Sequence, residues 1–201
     1  MQSRRSRMAA FTLIELMIVV ALVAIIIALA APSFRDMILM QRLRGVNAQV
    51  VTDLAFARSE AVSRGTFVQI RFQQVGGGSG MSCYVIYARN DSLLTSPECD
   101  CTAAEGLRCT DPATTEIRTV QLPNSQSVTV AHLSTSFDRF TILPRTGGMS
   151  PAYAAFANVP LLQFRISTFI DSTRKFENFF DISGRLGYCA PAGSTVGGEP
   201  C

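Results

Sequence analysis

The amino-terminal part of the chain carries one long apolar stretch. Residues 11–32 are apolar apart from Thr12 and Glu15. A helix over residues 11–31 would be about 31 Å long, roughly the thickness of the hydrocarbon core of a bilayer. The pattern therefore predicts a membrane-spanning helix.

A second apolar pattern follows at helical spacing. Its members are Phe34, Ile38, Leu43, Val46, Val50, Leu54, Ala57 and Ala61. The polar residues between them predict an amphipathic helix whose apolar face packs onto a globular head. Gly65 suits a helix C-cap, so one long helix is predicted over residues 11–64.

Downstream of Gly65 the chain becomes rich in β-branched and aromatic residues, which favour strands. Strands are predicted at residues 66–72, 83–88, 116–122, 127–132, 139–143, 161–170 and 175–182. A glycine-rich hairpin loop is predicted at residues 75–80, and an irregular cysteine-bearing loop is predicted at residues 90–114. A Gly/Pro-rich tail is predicted at residues 193–200. The predicted fold is α+β: a long amino-terminal helix packed on an antiparallel β-sheet head at residues 65–201.

Arg4, Arg5 and Arg7 precede the apolar stretch. A basic leader of this kind also occurs in secretory signal peptides and simple membrane anchors. The apolar part of a signal peptide is only about 7 to 15 residues long, however. Neither alternative needs Glu15, whose carboxylate is costly inside a membrane and is therefore a candidate functional group.

The net charge of +3 belongs to the first ten residues. They hold three of the 18 basic residues and none of the acidic ones, which leaves 15 basic against 15 acidic residues in the rest of the chain. Non-specific binding of nucleic acid needs clustered positive charge. A nucleic-acid site on this neutral chain would therefore have to be local.

Six cysteines lie in the predicted head: Cys83, Cys99, Cys101, Cys109, Cys189 and Cys201. Disulfides persist outside the cytoplasm, so an even number of cysteines there predicts bridges. Proximity favours Cys189 with Cys201, and the other four would staple the loop at residues 82–110. A metal site at the CxC pair is the alternative, but this spacing differs from that of common zinc sites. No metal and no other cofactor is predicted.

No pattern in the sequence indicates catalysis. The only histidine, His132, lies in a predicted strand without an obvious nucleophile beside it. Oxidised cysteines do not act as nucleophiles, because attack requires a free thiolate. The chain is predicted not to be an enzyme.

The segment Ala10-Phe11-Thr12-Leu13-Ile14-Glu15-Leu16 resembles the processing site of type IV pilins and type II secretion pseudopilins. The resemblance implies that a prepilin peptidase removes the leader, residues 1–10, by cutting between Ala10 and Phe11, and that Phe11 is N-methylated. It implies that Glu15 pairs with the amino terminus of a neighbouring subunit during assembly. The family usually has glycine before the cut, where this chain has Ala10. Pro32 lies where pilin helices commonly kink, since proline removes a backbone donor.

Residues 54–65, LAFARSEAVSRG, and the late DISGR segment at 181–185 resemble the GspH/FimT family of minor pilins and pseudopilins. The resemblance implies a scarce, non-catalytic subunit of a pilus tip or assembly-initiating complex, whose partners are other pilins. Before assembly the subunit would be held in the inner membrane with a periplasmic head, and afterwards in a pilus or pseudopilus. A type II secretion pseudopilin and a major pilin are the alternatives.

Some members of this branch bind DNA during natural transformation through a carboxyl-terminal Gly-Arg-x-Arg turn. A DNA-binding minor pilin that acts as a receptor in transformation is therefore a further alternative. This chain offers Gly184-Arg185-Leu186-Gly187, which keeps the first arginine and has glycine in place of the second. Arg174 and Lys175 precede the same predicted strand and are candidate phosphate contacts, and Tyr188 is a candidate for stacking on a base. The alternative interpretation is a tight turn that needs Gly184 and leaves Arg185 in solvent.

Overall fold

The computed structural model describes residues 12–74, 80–90, 99–133, 137–150 and 163–201. Ala10 and Phe11, at the predicted cleavage site, lie outside the described residues. The chain divides into two compact units, Met1–Ile38 and Leu39–Cys201, and each is considered by itself.

One helix, α1, runs over Leu13–Arg64 and begins in the first unit. Its start follows from local chemistry, because the Thr12 hydroxyl accepts a hydrogen bond from the backbone N–H of Glu15 at 3.3 Å. The carbonyl of Thr12 accepts the first helical bond, from Leu16, at 3.2 Å. Thr12 is thus the N-cap of the helix. The helix continues through Pro32, and the kink predicted there stays a prediction.

The carboxyl-terminal half of α1 supplies one side of the core of the second unit. Its buried apolar residues are Leu43, Val50, Leu54, Ala57 and Ala61. Phe34 and Ile38 belong to the first unit, where they are 65% and 44% exposed, and their predicted packing on the head stays a prediction. The helix ends before Gly65, whose φ of 64° suits a C-cap.

Two four-stranded antiparallel sheets form the rest of the described head. The strands are β1 Phe67–Gln74, β2 Met81–Arg89, β3 Thr114–Pro123, β4 Thr129–His132, β5 Arg139–Ile142, β6 Gln163–Phe169, β7 Lys175–Asp181 and β8 Leu186–Cys189. The strand order is β3-β2-β1-β5 in the first sheet and β4-β6-β7-β8 in the second. The α+β class is therefore confirmed. The strand β8 and a 3₁₀ turn over Asn124–Gln126 are elements that the sequence pattern did not predict.

The main core lies between α1 and the two sheets. Phe72, Phe140, Phe164 and Phe180 pack ring to ring in its centre, with centroid distances of 4.8 to 5.9 Å. Aromatic pairs at these distances contribute beyond the area they bury. The four rings come from four strands of the two sheets, so they join both sheets into one core.

A buried polar contact fixes α1 against the first sheet. Asp53 of the helix accepts a hydrogen bond of 2.6 Å from the Tyr84 hydroxyl on β2, and its other oxygen lies 2.9 Å from Nη1 of Arg118 on β3. Burial and the bond to Asp53 raise the pKa of Tyr84, so the phenol stays protonated. On the second sheet, the Asn178 amide donates to the side-chain oxygen of Asn47 at 2.8 Å. These contacts set the position of the helix along both sheets.

The cysteine-bearing loop covers the other face of the first sheet. All six cysteines are paired, as Cys83–Cys101, Cys99–Cys109 and Cys189–Cys201. The first two bridges hold the loop over Val85 and Tyr87 of β2, which are fully buried beneath it. The predicted pairing of Cys189 with Cys201 and the predicted stapling of the loop are thus what the structure contains. Residues 91–98 of this loop lie outside the described part.

Candidate functional site

The first unit presents a helix surface made almost entirely of apolar side chains. Large hydrophobic residues from Leu13 to Ile38 are between 44% and 77% exposed. Soluble proteins rarely expose so large an apolar surface to water, and such a surface marks contact with a membrane or with other proteins. The segment is long and apolar enough to span a bilayer.

Glu15 lies on the first turn of this apolar surface and is exposed. The pattern Thr12-x-x-Glu15 matches a capping box, in which Glu or Gln at the third helical position supports the N-terminus. A carboxylate near a helix N-terminus also interacts favourably with the helix dipole. Glu15 is therefore placed to stabilise the start of the helix, in addition to its predicted role in assembly.

The turn between β7 and β8 holds Gly184 and Arg185. Asp181 organises it, because its Oδ1 accepts bonds from the Ser183 amide at 2.8 Å, the Ser183 hydroxyl at 2.6 Å and the Arg185 amide at 2.9 Å. Gly184 has a φ of 81°, and a Cβ added to it would lie 2.5 Å from the Gly147 carbonyl oxygen. The turn thus requires glycine at this position, while the Arg185 side chain is exposed.

The other candidates for DNA contact do not join Arg185. Arg174 and Lys175 lie at the start of β7, and Arg185 follows its end, so about 20 Å of strand separates them. Arg174 also forms an ion pair with Asp171 at 2.7 Å. Tyr188 is exposed, and its ring packs edge-on against Phe176 with the centroids 6.1 Å apart.

Gly187, at the position of the second arginine in the Gly-Arg-x-Arg turn, faces Phe179 across the strand pair. A Cβ on Gly187 would lie 2.3 Å from the Cζ atom of the Phe179 ring. The ring occupies the space that a side chain at 187 would need. The structure thus gives a physical reason for the missing arginine, and DNA binding stays a prediction.

Comparison with known families decides the identity of the chain. Residues 47–168 match the model of the type II transport protein GspH, and residues 5–31 match the prokaryotic N-terminal methylation motif. The chain belongs to the GspH family. It is a type IV pilin-like protein of the minor pilin and pseudopilin kind, and its apolar helix and methylation motif fit a membrane-anchored pilin.

Two solved structures are similar to this GspH-family chain. Both are the type IV minor pilin FimU of Pseudomonas aeruginosa PAO1, in space groups P21 and P65. Each is 13% identical. The first match covers 73% of this chain and 87% of FimU with a TM-score of 0.46, and the second covers 72% and 90% with 0.45. No curated protein matches the chain significantly.

The GspH family is a structural, non-catalytic pilin type. Within the described ranges, no group of three or more His, Cys, Asp or Glu side chains is arranged to hold a metal ion. The CxC cysteines that suggested a metal site are both in disulfides.

Two turn carboxylates make the stability of the GspH-type head depend on pH. Bonds from the Thr173 hydroxyl, and then from Arg174, hold the pKa of Asp171 well below its usual value. Partial burial acts to raise the pKa of Asp181, but bonds from Ser183 and Arg185 lower it on balance. A depressed carboxylate stabilises the folded state above its unfolded pKa of about 4, and this stabilisation disappears as the pH falls through the lower, folded value.

The melting temperature of the protein is therefore expected to fall as the pH is lowered below about 4. Thermal unfolding followed by circular dichroism at a series of pH values would measure this. Asp171→Asn should reduce the fall, whereas Glu105→Gln, at an exposed carboxylate, should leave the profile unchanged. A wild-type melting temperature that stays constant into acid would contradict the expectation.

Proposed function

We propose that this chain is a subunit that initiates or caps a pilus or pseudopilus and is incorporated through its amino-terminal helix. The observation that supports this proposal most is the exposed apolar surface of α1 in the first unit, which carries a single acidic residue, Glu15, among its first turns. In the membrane this surface contacts lipid. In an assembly it would contact the helices of other pilins.

Processing would create the partner for Glu15. Cleavage between Ala10 and Phe11 would leave a positively charged amino terminus on Phe11, four residues before Glu15. An unpaired carboxylate is strongly disfavoured in hydrocarbon, so it would pair with the amino terminus of a neighbouring subunit. This pairing would set the axial register of the subunits, and apolar helix contacts would hold them together.

The test separates charge pairing from helix capping. Glu15→Gln keeps a residue type that serves in a capping box but removes the charge. We expect this variant and Glu15→Ala to insert into the membrane normally and to be absent from sheared surface fibres or the assembled pseudopilus. Immunoblots of membrane and fibre fractions from a complemented deletion strain would measure both quantities.

Asp36→Ala is the matched control, because Asp36 is an exposed carboxylate of the same helix beyond the most apolar stretch. It should be incorporated like the wild type. Normal incorporation of Glu15→Gln would sink the pairing mechanism and leave Glu15 as a capping residue. Loss of membrane insertion in Glu15→Gln would equally count against the mechanism.

Abundance would distinguish the alternatives within the family. A minor subunit is scarce in sheared fibres, whereas a major pilin dominates them. Scoring surface pili and protein secretion in the deletion strain would then separate a pilus subunit from a type II secretion pseudopilin. We expect a scarce subunit whose loss abolishes assembly.

A further inference from the structure

The inner face of the second sheet is open at its last strand, β8. On the neighbouring strand β7, the inward-facing residues Phe176, Asn178 and Phe180 are at most 5% exposed. Tyr188 of β8 pairs with Asn178 and therefore lies on the same face. It is nevertheless 56% exposed. The cover that the head provides for this face thus ends at β8.

A groove of about 630 Å³ lies between α1 and this open end of the sheet. Ala48, Val51 and Thr52 line it from the helix, and Phe176, Tyr188 and Val196 line it from the opposite side. Ala48 and Thr52 are exposed, so this strip of the helix has no strand packed against it among the described residues. All of these residues belong to the second unit.

The backbone of β8 has an unpaired edge along this groove. The Asp181 amide donates to the Arg185 carbonyl at 3.1 Å, which starts the ladder between β7 and β8. Ladder bonds alternate along an antiparallel pair, so the backbone groups of Leu186 and Tyr188 point away from β7. No described residue bonds to them. An edge of this kind is a template for another strand.

The chain after β8 already pairs along the same edge. The Ala190 amide donates to the Glu199 carbonyl at 2.8 Å, and the Cys201 amide donates to the Ala190 carbonyl at 3.1 Å. The carboxyl-terminal residues thus form a parallel bridge there. This pairing does not extend to Leu186 or Tyr188 in the described structure, and these two residues remain available.

The groove also carries two polar donors without acceptors. Arg44 lines it, is exposed, and forms no ion pair with any described residue. Asn47 lines it and is 5% exposed. The Oδ1 atom of Asn47 accepts a bond from Asn178 at 2.8 Å, whereas its Nδ2 donates to no described residue. The groove therefore combines apolar walls with a positive charge.

We propose that β8 and this groove bind an extended, acidic segment of a partner protein, which adds to the second sheet as a strand. Neighbouring strands lie about 4.7–4.9 Å apart, so the added strand would continue the inner face opposite the exposed strip of α1. Every second side chain of the segment would enter the groove. An apolar side chain would pack against Val51 and Phe176, and a carboxylate would pair with Arg44. Main-chain bonds to Leu186 and Tyr188 would supply affinity, and the groove would supply specificity.

Fluorescence anisotropy of the full chain in a neutral detergent tests this proposal with a panel of labelled seven-residue peptides. Each peptide alternates threonine with one apolar residue type, Val, Ile, Leu or Phe, and carries one glutamate. We expect saturable binding by at least one of them. N-methylation of one alternate set of its amides should abolish binding, and methylation of the other set should not, because only one set faces β8. Hydrogen exchange of the Leu186 and Tyr188 amides should slow in the complex.

Variants of the helix test the groove itself. Ala48→Trp fills the groove and should weaken binding at least tenfold. Arg44→Gln should weaken binding several-fold, and only for peptides that contain glutamate rather than glutamine. Arg42→Gln is the matched control, since Arg42 is an exposed arginine of the same helix that does not line this groove. It should bind like the wild type, and melting temperatures would show that Ala48→Trp is folded.

Three results would overturn the proposal: no binding by any peptide of the panel, equal binding of the two N-methylated forms, or unchanged binding by Ala48→Trp. Binding of a single-stranded oligonucleotide that Ala48→Trp blocks, without binding of any peptide, would also overturn it, since the occupant would then be a nucleic acid. The proposal concerns the head alone. Its readouts do not depend on incorporation through the helix, so its failure is distinguishable from failure of the proposed function.

Discussion

Asp53→Ala is expected to lower the free energy of unfolding of the protein by about 2–3 kcal/mol. The carboxylate is 2% exposed and contacts Tyr84 and Arg118, which lie on different strands. Alanine would leave the buried Tyr84 hydroxyl without an acceptor and Arg118 without its anion. The first loss carries a desolvation cost, because a buried polar group is expensive when unpaired, whereas the Arg118 side chain is 44% exposed and can be hydrated. Chemical denaturation followed by circular dichroism would measure the change.

Tyr84→Phe is the control that separates the two contacts. It removes the hydroxyl but keeps the ring in the core and the ion pair of Asp53 with Arg118, so it should cost about 1–3 kcal/mol. The combined variant should lose less than the sum of the single variants, since the two residues share one bond. A loss below about 1 kcal/mol for Asp53→Ala would show that the contact does not fix the helix on the sheet.

The second large effect is expected from the bridge between Cys83 and Cys101. Replacing both cysteines with alanine should lower the stability by about 3 kcal/mol, the loop-closure contribution for the 18 residues that separate them. It should also release the loop from Val85 and Tyr87. Hydrogen exchange of β2 and β3 amides would detect this release as a loss of protection.

Replacing Cys189 and Cys201 is the matched control, because this bridge spans a similar separation of 12 residues but lies at the carboxyl end. Its removal should cost comparable free energy while β2 and β3 stay protected. Equal exchange in the two variants would contradict the view that the first bridge seals a sheet face.

The sequence predicted the helix, seven of the strands and the terminal disulfide because each depends on local spacing. It missed β8, which is four residues long and contains Gly187, so it shows neither length nor alternation. The strand is stabilised by its pairing with β7 and by the contact of Gly187 with Phe179, which arise only once the sheet has formed. The local sequence pattern does not show these contacts.

The residues predicted to contact DNA show the same limit of reasoning from local sequence. Arg174, Lys175 and Arg185 are close in sequence, but the extended strand between them separates them in space. The packing of Arg58 against Gly147 and Gly184 is the opposite case, since residues 58, 147 and 184 meet only through the fold. Three isolated residues gave no sequence signal, although Gly147 and Gly184 lie in turn-like segments.

The loop over the outer face of the first sheet makes the final folding step of the head depend on the redox state of its surroundings. Val85 and Tyr87 are buried by a loop that two disulfides hold in place, and such bridges form and persist in oxidising surroundings. In reducing surroundings these thiols would stay unpaired, and the loop would not be held against the sheet. Oxidation therefore acts as a timing signal, because the head acquires its final stability only where these bridges can form.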